Sequence, residues 1–282
     1  MNNQAARRPD FIILGAMKAA TTSLYRWLQA TGLAALPEVK EPNFFTQEWN
    51  RGQGWYLSMF EGIPGTIPAG EASVSYSDPA LSQTAAARIH DMLPTTRFVF
   101  IARHPIDRLR SHFRHEVQRN REKRPFSVAV ASLDSNYVRR SMYGRGLQPY
   151  FRLFNPEQIL IVEFDDLVGG DGFGRVLDHL GLPVVERPRV AHNVTAEKRR
   201  YTAIARWLYE SGWTSALGRL PRSVRRLGRS LGTRQDARYE ATLRDSQSAP
   251  VPDHVVEALT ADVEVFEATA GTRFDWNLGT GG

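Results

Sequence analysis

One lysine stands in a short turn that also carries a run of hydroxyls. The segment Gly15-Ala16-Met17-Lys18-Ala19-Ala20-Thr21-Thr22-Ser23 follows an apolar run, Phe11–Leu14, and opens a helical pattern of Leu24, Trp27 and Leu28. Backbone N–H groups of such a turn point outward, and a helix N-terminus adds partial positive charge. Lys18 contributes a full charge, and Thr21, Thr22 and Ser23 contribute donors, so the segment can hold a phosphate. It is not a GxxxxGK[ST] loop, because that pattern needs a Gly-Lys pair followed at once by a hydroxyl. An ordinary N-cap by Thr21 or Thr22, with Lys18 incidental, is the plainer alternative. A second constellation begins at Arg103, where the β-rich run Phe98–Ala102 ends, and continues to Ser111 eight residues on. Ligands of α/β folds bind at the carboxyl ends of strands, so Arg103 and Ser111 form a second candidate anion site. Two such sites at neighbouring strand ends fit one nucleoside with phosphates at both ends.

The elements needed to position these residues are legible in the hydrophobic pattern. Phe11–Leu14, Phe98–Ala102 and Ile159–Val162 read as buried strands. Helices are expected over Thr21–Ala30, closing at Gly32, and over Ile106–Arg119 behind Pro105, with others over Val138–Phe154, Phe173–Leu180 and Asp253–Thr269. Strands alternating with helices predict an α/β fold of three layers, a parallel central sheet flanked by helices. The stretch 198–244 is rich in Arg, holds Trp207 and Trp213 and shows no strand signal; a helical insertion or lid is expected there. With no repeat and no low-complexity linker, residues 1–282 read as a single domain.

Composition narrows the chemistry. Cysteine is absent, which removes disulfides, thiolate catalysis and Cys-based zinc sites. The seven histidines show no ligand spacing, so no metal is expected. No apolar run approaches the ~20 residues of a membrane-spanning helix, and the start of the chain lacks the pattern of a secretory signal. No stable membrane insertion and a cytoplasmic location are the expectations. The net charge of +6 suits an anionic ligand but also a nucleic acid.

Taken together, the two anion motifs resemble those of sulfotransferases that use 3′-phosphoadenosine-5′-phosphosulfate (PAPS). The Lys18 loop is similar to that family's 5′-phosphosulfate loop, and Arg103 with Ser111 to its 3′-phosphate motif. Lys40-Glu41-Pro42-Asn43-Phe44-Phe45 resembles the Lys-Glu-x-x-Phe-Phe segment of the heparan-sulfate-type, carbohydrate-modifying branch, and the chain looks like a bacterial member of it. Glu71-Ala72-Ser73-Val74-Ser75-Tyr76 resembles that branch's Glu-x-Ser/Thr-Pro-Ser-Tyr, with Val74 in place of Pro. Ser141-x-Tyr143 and Lys198-Arg199-Arg200 fall where the family has further PAPS contacts, although the late loop lacks the usual Lys-Gly pair. The resemblance implies PAPS as donor, PAP as product, no metal, and a saccharide or small-molecule acceptor. It assigns the nucleotide to Lys18, Ala19, Ala20, Thr21, Thr22, Ser23, Arg103, Ser111, Tyr143, Lys198, Arg199 and Arg200. Lys40, Asn43, Glu71, Ser73 and Tyr76 fall on the acceptor side. Ala20 replaces the family's usual Gly, so the loop is expected to reach the phosphate there without a left-handed residue.

An acceptor hydroxyl must lose its proton as the S–O bond forms. Small-molecule members of the family use a His between the two anion motifs, but the interval 33–89 contains none. The resemblance makes Glu41 the expected base and Lys18 the charge-stabilising group; a structural ion pair of Glu41 with Lys40 is the plainer alternative, and Glu71 is the second candidate for base. A P-loop nucleotide kinase and a basic nucleic-acid-binding protein are the rival readings; the first lacks its loop, and the second rests on charge alone.

Overall fold

The computed structural model describes residues 7–188, 200–201, 233–234 and 237–279. Phe11–Gly15 (β1) is buried along its whole length, as an unbroken apolar run requires of an interior parallel strand. It lies between Gly70–Ala72 (β2) and Arg97–Ala102 (β3), and Ile159–Glu163 (β4) flanks β3. All three pairings are parallel, in the order β2-β1-β3-β4. Parallel pairing brings the carboxyl ends of all four strands to one edge, so the segments after Gly15, Ala72 and Ala102 converge there.

The helices are Thr21–Thr31 (α1), Gly52–Ser58 (α2), Ser82–Met92 (α3), Pro105–Gln118 (α4), Phe126–Ala129 (α5), Asn136–Arg139 (α6), Tyr143–Leu153 (α7), Phe164–Gly169 (α8) and Gly172–His179 (α9). Two short strands follow, Arg200–Tyr201 (β5) and Thr233–Arg234 (β6), then Ala237–Ser248 (α10) and Asp253–Ala270 (α11). Trp27 of α1 meets Phe173 of α9 edge-on at 5.8 Å. Phe98 and Phe100 of β3 pack on Tyr150 and Tyr143 of α7, and Phe100 also meets Phe266 of α11. The architecture is the three-layer α/β fold that the alternating pattern predicts. A second cluster joins Leu109 and Phe113 of α4 to Phe126, Tyr137, Val138 and, from α11, Val255 and Leu259.

Three differences from the sequence expectation are instructive. β2 was not expected as a strand: Gly-Glu-Ala has no β-rich run, and only its pairing with β1 extends it. The single helix expected over Val138–Phe154 is instead α6 and α7 with a break between. The Tyr137 carbonyl, which a continuous helix would offer to the Ser141 N–H, is taken by the Arg108 guanidinium and by Ser141 Oγ. Of the insertion expected over 198–244, most lies outside the described residues. Its described parts are the antiparallel pair β5–β6, where no strand was expected, and the start of α10.

The segment after β2 is held against α7 without clearance. A Cβ on Gly146 would lie 2.4 Å from the Ser77 carbonyl oxygen. Gly146→Ala should therefore cost ~1–3 kcal/mol by overpacking and lower Tm by several degrees in a thermal melt. A Tm within a degree of wild type would show that the two segments can part freely.

Candidate active site

The loop after β1 is built from unfavourable backbone. Gly15 leaves the strand at φ 153°, and Lys18 and Ala20 both adopt left-handed conformations, at φ 71° and 63°. For residues with a Cβ this costs roughly 1–2 kcal/mol each. Ala20 is the N-cap of α1 and forms no side-chain cap hydrogen bond. Two expectations are corrected here. Neither Thr21 nor Thr22 caps the helix, and the chain does pass Ala20 in the left-handed region despite its methyl group. The N–H groups of the first turn of α1, at Thr21 and Thr22, have no carbonyl within the helix to bind. With Ser23 and the backbone of Ala19 they surround the turn at the carboxyl edge of the sheet.

Arg103 binds this loop directly: its Nη1 donates to the Lys18 carbonyl at 3.0 Å. Its guanidinium lies 4.5 Å from the centre of the Phe164 ring, and its own carbonyl accepts the Tyr143 hydroxyl at 2.8 Å. Tyr143 is buried, so it supports Arg103 from behind. Ser111 is buried in α4, one turn beyond Arg108. β5, with Arg200, packs against α4; Lys198 and Arg199 lie outside the described residues.

More positive charge gathers here than the motifs announce. Arg108 is fully buried, held by Ser141 Oγ at 2.7 Å and the Tyr137 carbonyl, and burial pushes its pKa down to about 10. Arg140 reaches the loop, donating to Met17 Sδ at 3.1 Å, while its Nε binds Asp78 at 2.7 Å. Asp78 also binds Arg139 at 3.0 Å. Burial, then Arg108, Arg140, His115 and Lys18, pushes His112 down to about 2, so this histidine is neutral. Arg108 and Arg140 were not singled out in the sequence. The pair Arg139-Arg140 just before Ser141-x-Tyr143 was the available signal, but nothing local marks Asp78 as their partner.

On the other side of the edge, the 41–46 loop is fastened to the end of β2. The Glu41 N–H donates to the Ala72 carbonyl at 3.0 Å. Glu41 and Asn43 are left-handed, at φ 64° and 50°. The Glu41 carboxylate pairs with Lys40 at 2.5 Å and keeps 37% exposure. Asn43 Nδ2 donates to the Glu41 carbonyl at 2.9 Å, and Asn43 Oδ1 accepts from Ser75 Oγ at 2.6 Å. Glu71, Ser73 and Tyr76, expected among the acceptor contacts, are each 0% exposed. Their polar atoms are spent on one another: Glu71 accepts from Ser73 Oγ at 2.7 Å, Tyr76 at 2.8 Å and Tyr56 at 3.2 Å. Burial pushes Glu71 up to about 7 against the pull of these three hydroxyls, with the Glu41 charge adding to the rise. Trp49 and Trp55 pack on Phe44 of the core, and Arg51 covers the outer Trp55 ring at 4.0 Å.

Comparison with known proteins meets this geometry at several points. Residues 72–186, which include Arg103, Ser111, Arg140 and Tyr143, match the model of the Sulfotransferase family. Over 190 residues the chain is 28% identical to heparan sulfate glucosamine 3-O-sulfotransferase 6 of Mus musculus, covering 62% of this chain and 53% of that protein. Over 189 residues it is 28% identical to heparan sulfate glucosamine 3-O-sulfotransferase 3A1 of Homo sapiens, covering 62% and 44%. A sulfotransferase from Alicyclobacillus acidocaldarius superposes with a TM-score of 0.66 over 95% of this chain and 98% of its own, at 20% identity, a likeness of fold. The chain is thus similar in sequence to sulfotransferases over its middle part, and similar in fold to a sulfotransferase over nearly its whole length. It spans about half the length of the heparan sulfate relatives it matches. The Lys18 loop and Glu41 precede the segment matched by the family model, so their case rests on the geometry above.

The left-handed Ala20 gives a direct test of the loop. Ala20→Gly removes the Cβ penalty but adds freedom to the unfolded chain. The variant should melt at or slightly above wild type, whereas Ala20→Val should melt several degrees below it. A Gly variant melting well below wild type would mean that Ala20 does not hold the left-handed turn in solution.

Proposed function

We propose that this protein transfers a sulfuryl group from PAPS to a hydroxyl or amine of a saccharide, glycolipid or natural-product acceptor. The observation that carries this reading is the bond from Arg103 to the Lys18 carbonyl, which joins two cationic motifs 85 residues apart at one strand edge. A turn with outward N–H groups, a helix N-terminus without a side-chain cap and a cluster of four cations suit a ligand bearing an anion at each end. PAPS supplies the sulfuryl group and departs as PAP.

The roles of the residues follow from their places. Lys18, the N–H groups from Ala20 to Thr22 and the Ser23 hydroxyl stabilise charge around the 5′-phosphate side, in a site already organised before reaction. Arg103 and Ser111, with Arg200 beside α4, take the 3′-phosphate. Glu41 accepts the acceptor's proton: it is a partly exposed carboxylate beside the end of β2, while Glu71 is enclosed and cannot reach a substrate. The heparan sulfate relatives support a saccharide as the acceptor class. Labelled PAPS offered with a panel of glycosides, aminoglycans and phenols should label a saccharide. Label on none of them would overturn the reading.

Two further outcomes check the donor and acceptor sides separately. PAP should raise Tm, by the equivalent of about 2.7 kcal/mol at a hundredfold excess over Kd, and AMP by much less. Arg103→Ala should erase the difference between them, and equal shifts in wild type would contradict a second phosphate site. Lys18→Ala should lower kcat about a hundredfold or more. Glu41→Gln should lower it by roughly 10²–10⁴ while leaving the PAP-induced Tm shift intact. Turnover close to wild type in either variant removes that residue from the mechanism.

A further inference from the structure

Glu71 is a buried carboxylate that the proposed chemistry does not use. It lies at the centre of β2, paired in register with Ile12 of β1, and no ion pair reaches it from the described residues. Its neighbours are hydroxyls: Ser73 on one oxygen, Tyr76 and Tyr56 on the other. Two of these go on to grip the acceptor-side loop. Ser73 Oγ accepts the Asn43 N–H at 3.1 Å, and the Tyr76 hydroxyl accepts the Phe45 N–H at 3.3 Å. Each hydroxyl has one proton and free lone pairs, so donation to Glu71 turns its lone pairs toward those N–H groups. Asn43, fixed at its N–H, fixes the Glu41 carbonyl through Nδ2. The result is a loop held in two strained conformations, at Glu41 and Asn43 on either side of Pro42, and such strain persists only where the surroundings over-determine it.

We propose that Glu71 is the positioning residue for Glu41, acting through Ser73 and Tyr76 on the backbone of the 41–45 loop. The proposal rests on the reading of Glu41 as the base. Three hydroxyl donors on two oxygens suit an acceptor-only carboxylate; a neutral acid adds a proton of its own that competes for the same partners, and it accepts more weakly. The groups that bear electrostatically on this centre are Tyr25 from α1, Tyr56 from α2, Tyr150 from α7, Tyr76, and Glu41 itself. Among these described residues none carries positive charge, and the three hydroxyls are the groups that bind the carboxylate.

The test is a double-variant cycle on the full chain, with kcat and the PAP-induced Tm shift as readouts. In Glu71→Gln the amide can donate but not accept on one side, so the loop loses an anchor. Turnover should fall about 10–100-fold, the scale of a small misplacement, with the PAP shift unchanged. The wild-type rise of kcat through about pH 7 should be missing from that variant. Because Glu71 acts only through Glu41, the variant carrying both Glu41→Gln and Glu71→Gln should be no slower than Glu41→Gln alone. Losses that multiply in the double variant, or a Glu71→Gln enzyme with wild-type kcat, would overturn the proposal. Should Glu71→Gln not fold, Ser73→Ala and Tyr76→Phe carry the same test, since each cuts one link and leaves the carboxylate in place. Both must lower kcat without lowering the PAP shift; wild-type kcat in both overturns the proposal. Wild-type turnover in Glu41→Gln is a different result, which removes the base assignment itself.

Discussion

The bond between the Arg103 guanidinium and the Lys18 carbonyl sets the geometry of the whole edge. It is possible because β1 and β3 are parallel neighbours, so that chain segments far apart in sequence leave the sheet side by side. Through it, the end of β3 holds the left-handed turn that α1 needs for its exposed N-terminus. Tyr143 secures Arg103 from α7, and Phe164 covers it from α8. The sheet thus touches the loop directly, and α7 and α8 bear on it through Arg103.

The charges behind this edge are unevenly compensated. Asp78, almost fully enclosed, serves Arg139 and Arg140 together. Arg108 has only neutral partners, a hydroxyl, a carbonyl and the neutral His112. A buried cation without an adjacent anion is costly, and it persists here because its donors are satisfied. In the proposed function an anionic ligand at the strand edge would offset the mutual repulsion of these groups. On the acceptor side the arrangement is reversed: a buried carboxylate ringed by hydroxyls stands behind an exposed one paired with lysine.

Much of this was readable in advance, and the exceptions have physical causes. β1, β3 and β4 are apolar runs buried on both faces, so their composition alone marks them. β2 is three residues long, and its extended form comes from β1, which a local reading cannot see. Lys18 and Arg103 stood out because each motif follows an expected strand, whereas Glu41 stood out only through the resemblance of its segment. Ala20 misled, since a residue with a Cβ was not expected to turn left-handed; tertiary contacts override that preference. The break between α6 and α7 and the clustering of Arg108 with Arg140 depend on side chains meeting across tens of residues. No periodicity encodes such meetings.

The division between the fixed and the free parts of the acceptor-side loop has a practical meaning. Glu41, Asn43 and Phe45 are tied by backbone to the interior, whereas Glu38 and Val39, immediately upstream, project into solvent, Val39 at 59% exposure. The loop is in effect a socket with an interchangeable rim. Residues at 38 and 39 can be exchanged without loosening the anchored positions, and they stand next to the paired Lys40 and Glu41. A library confined to those two positions is therefore a rational place to begin redirecting the protein toward new acceptors.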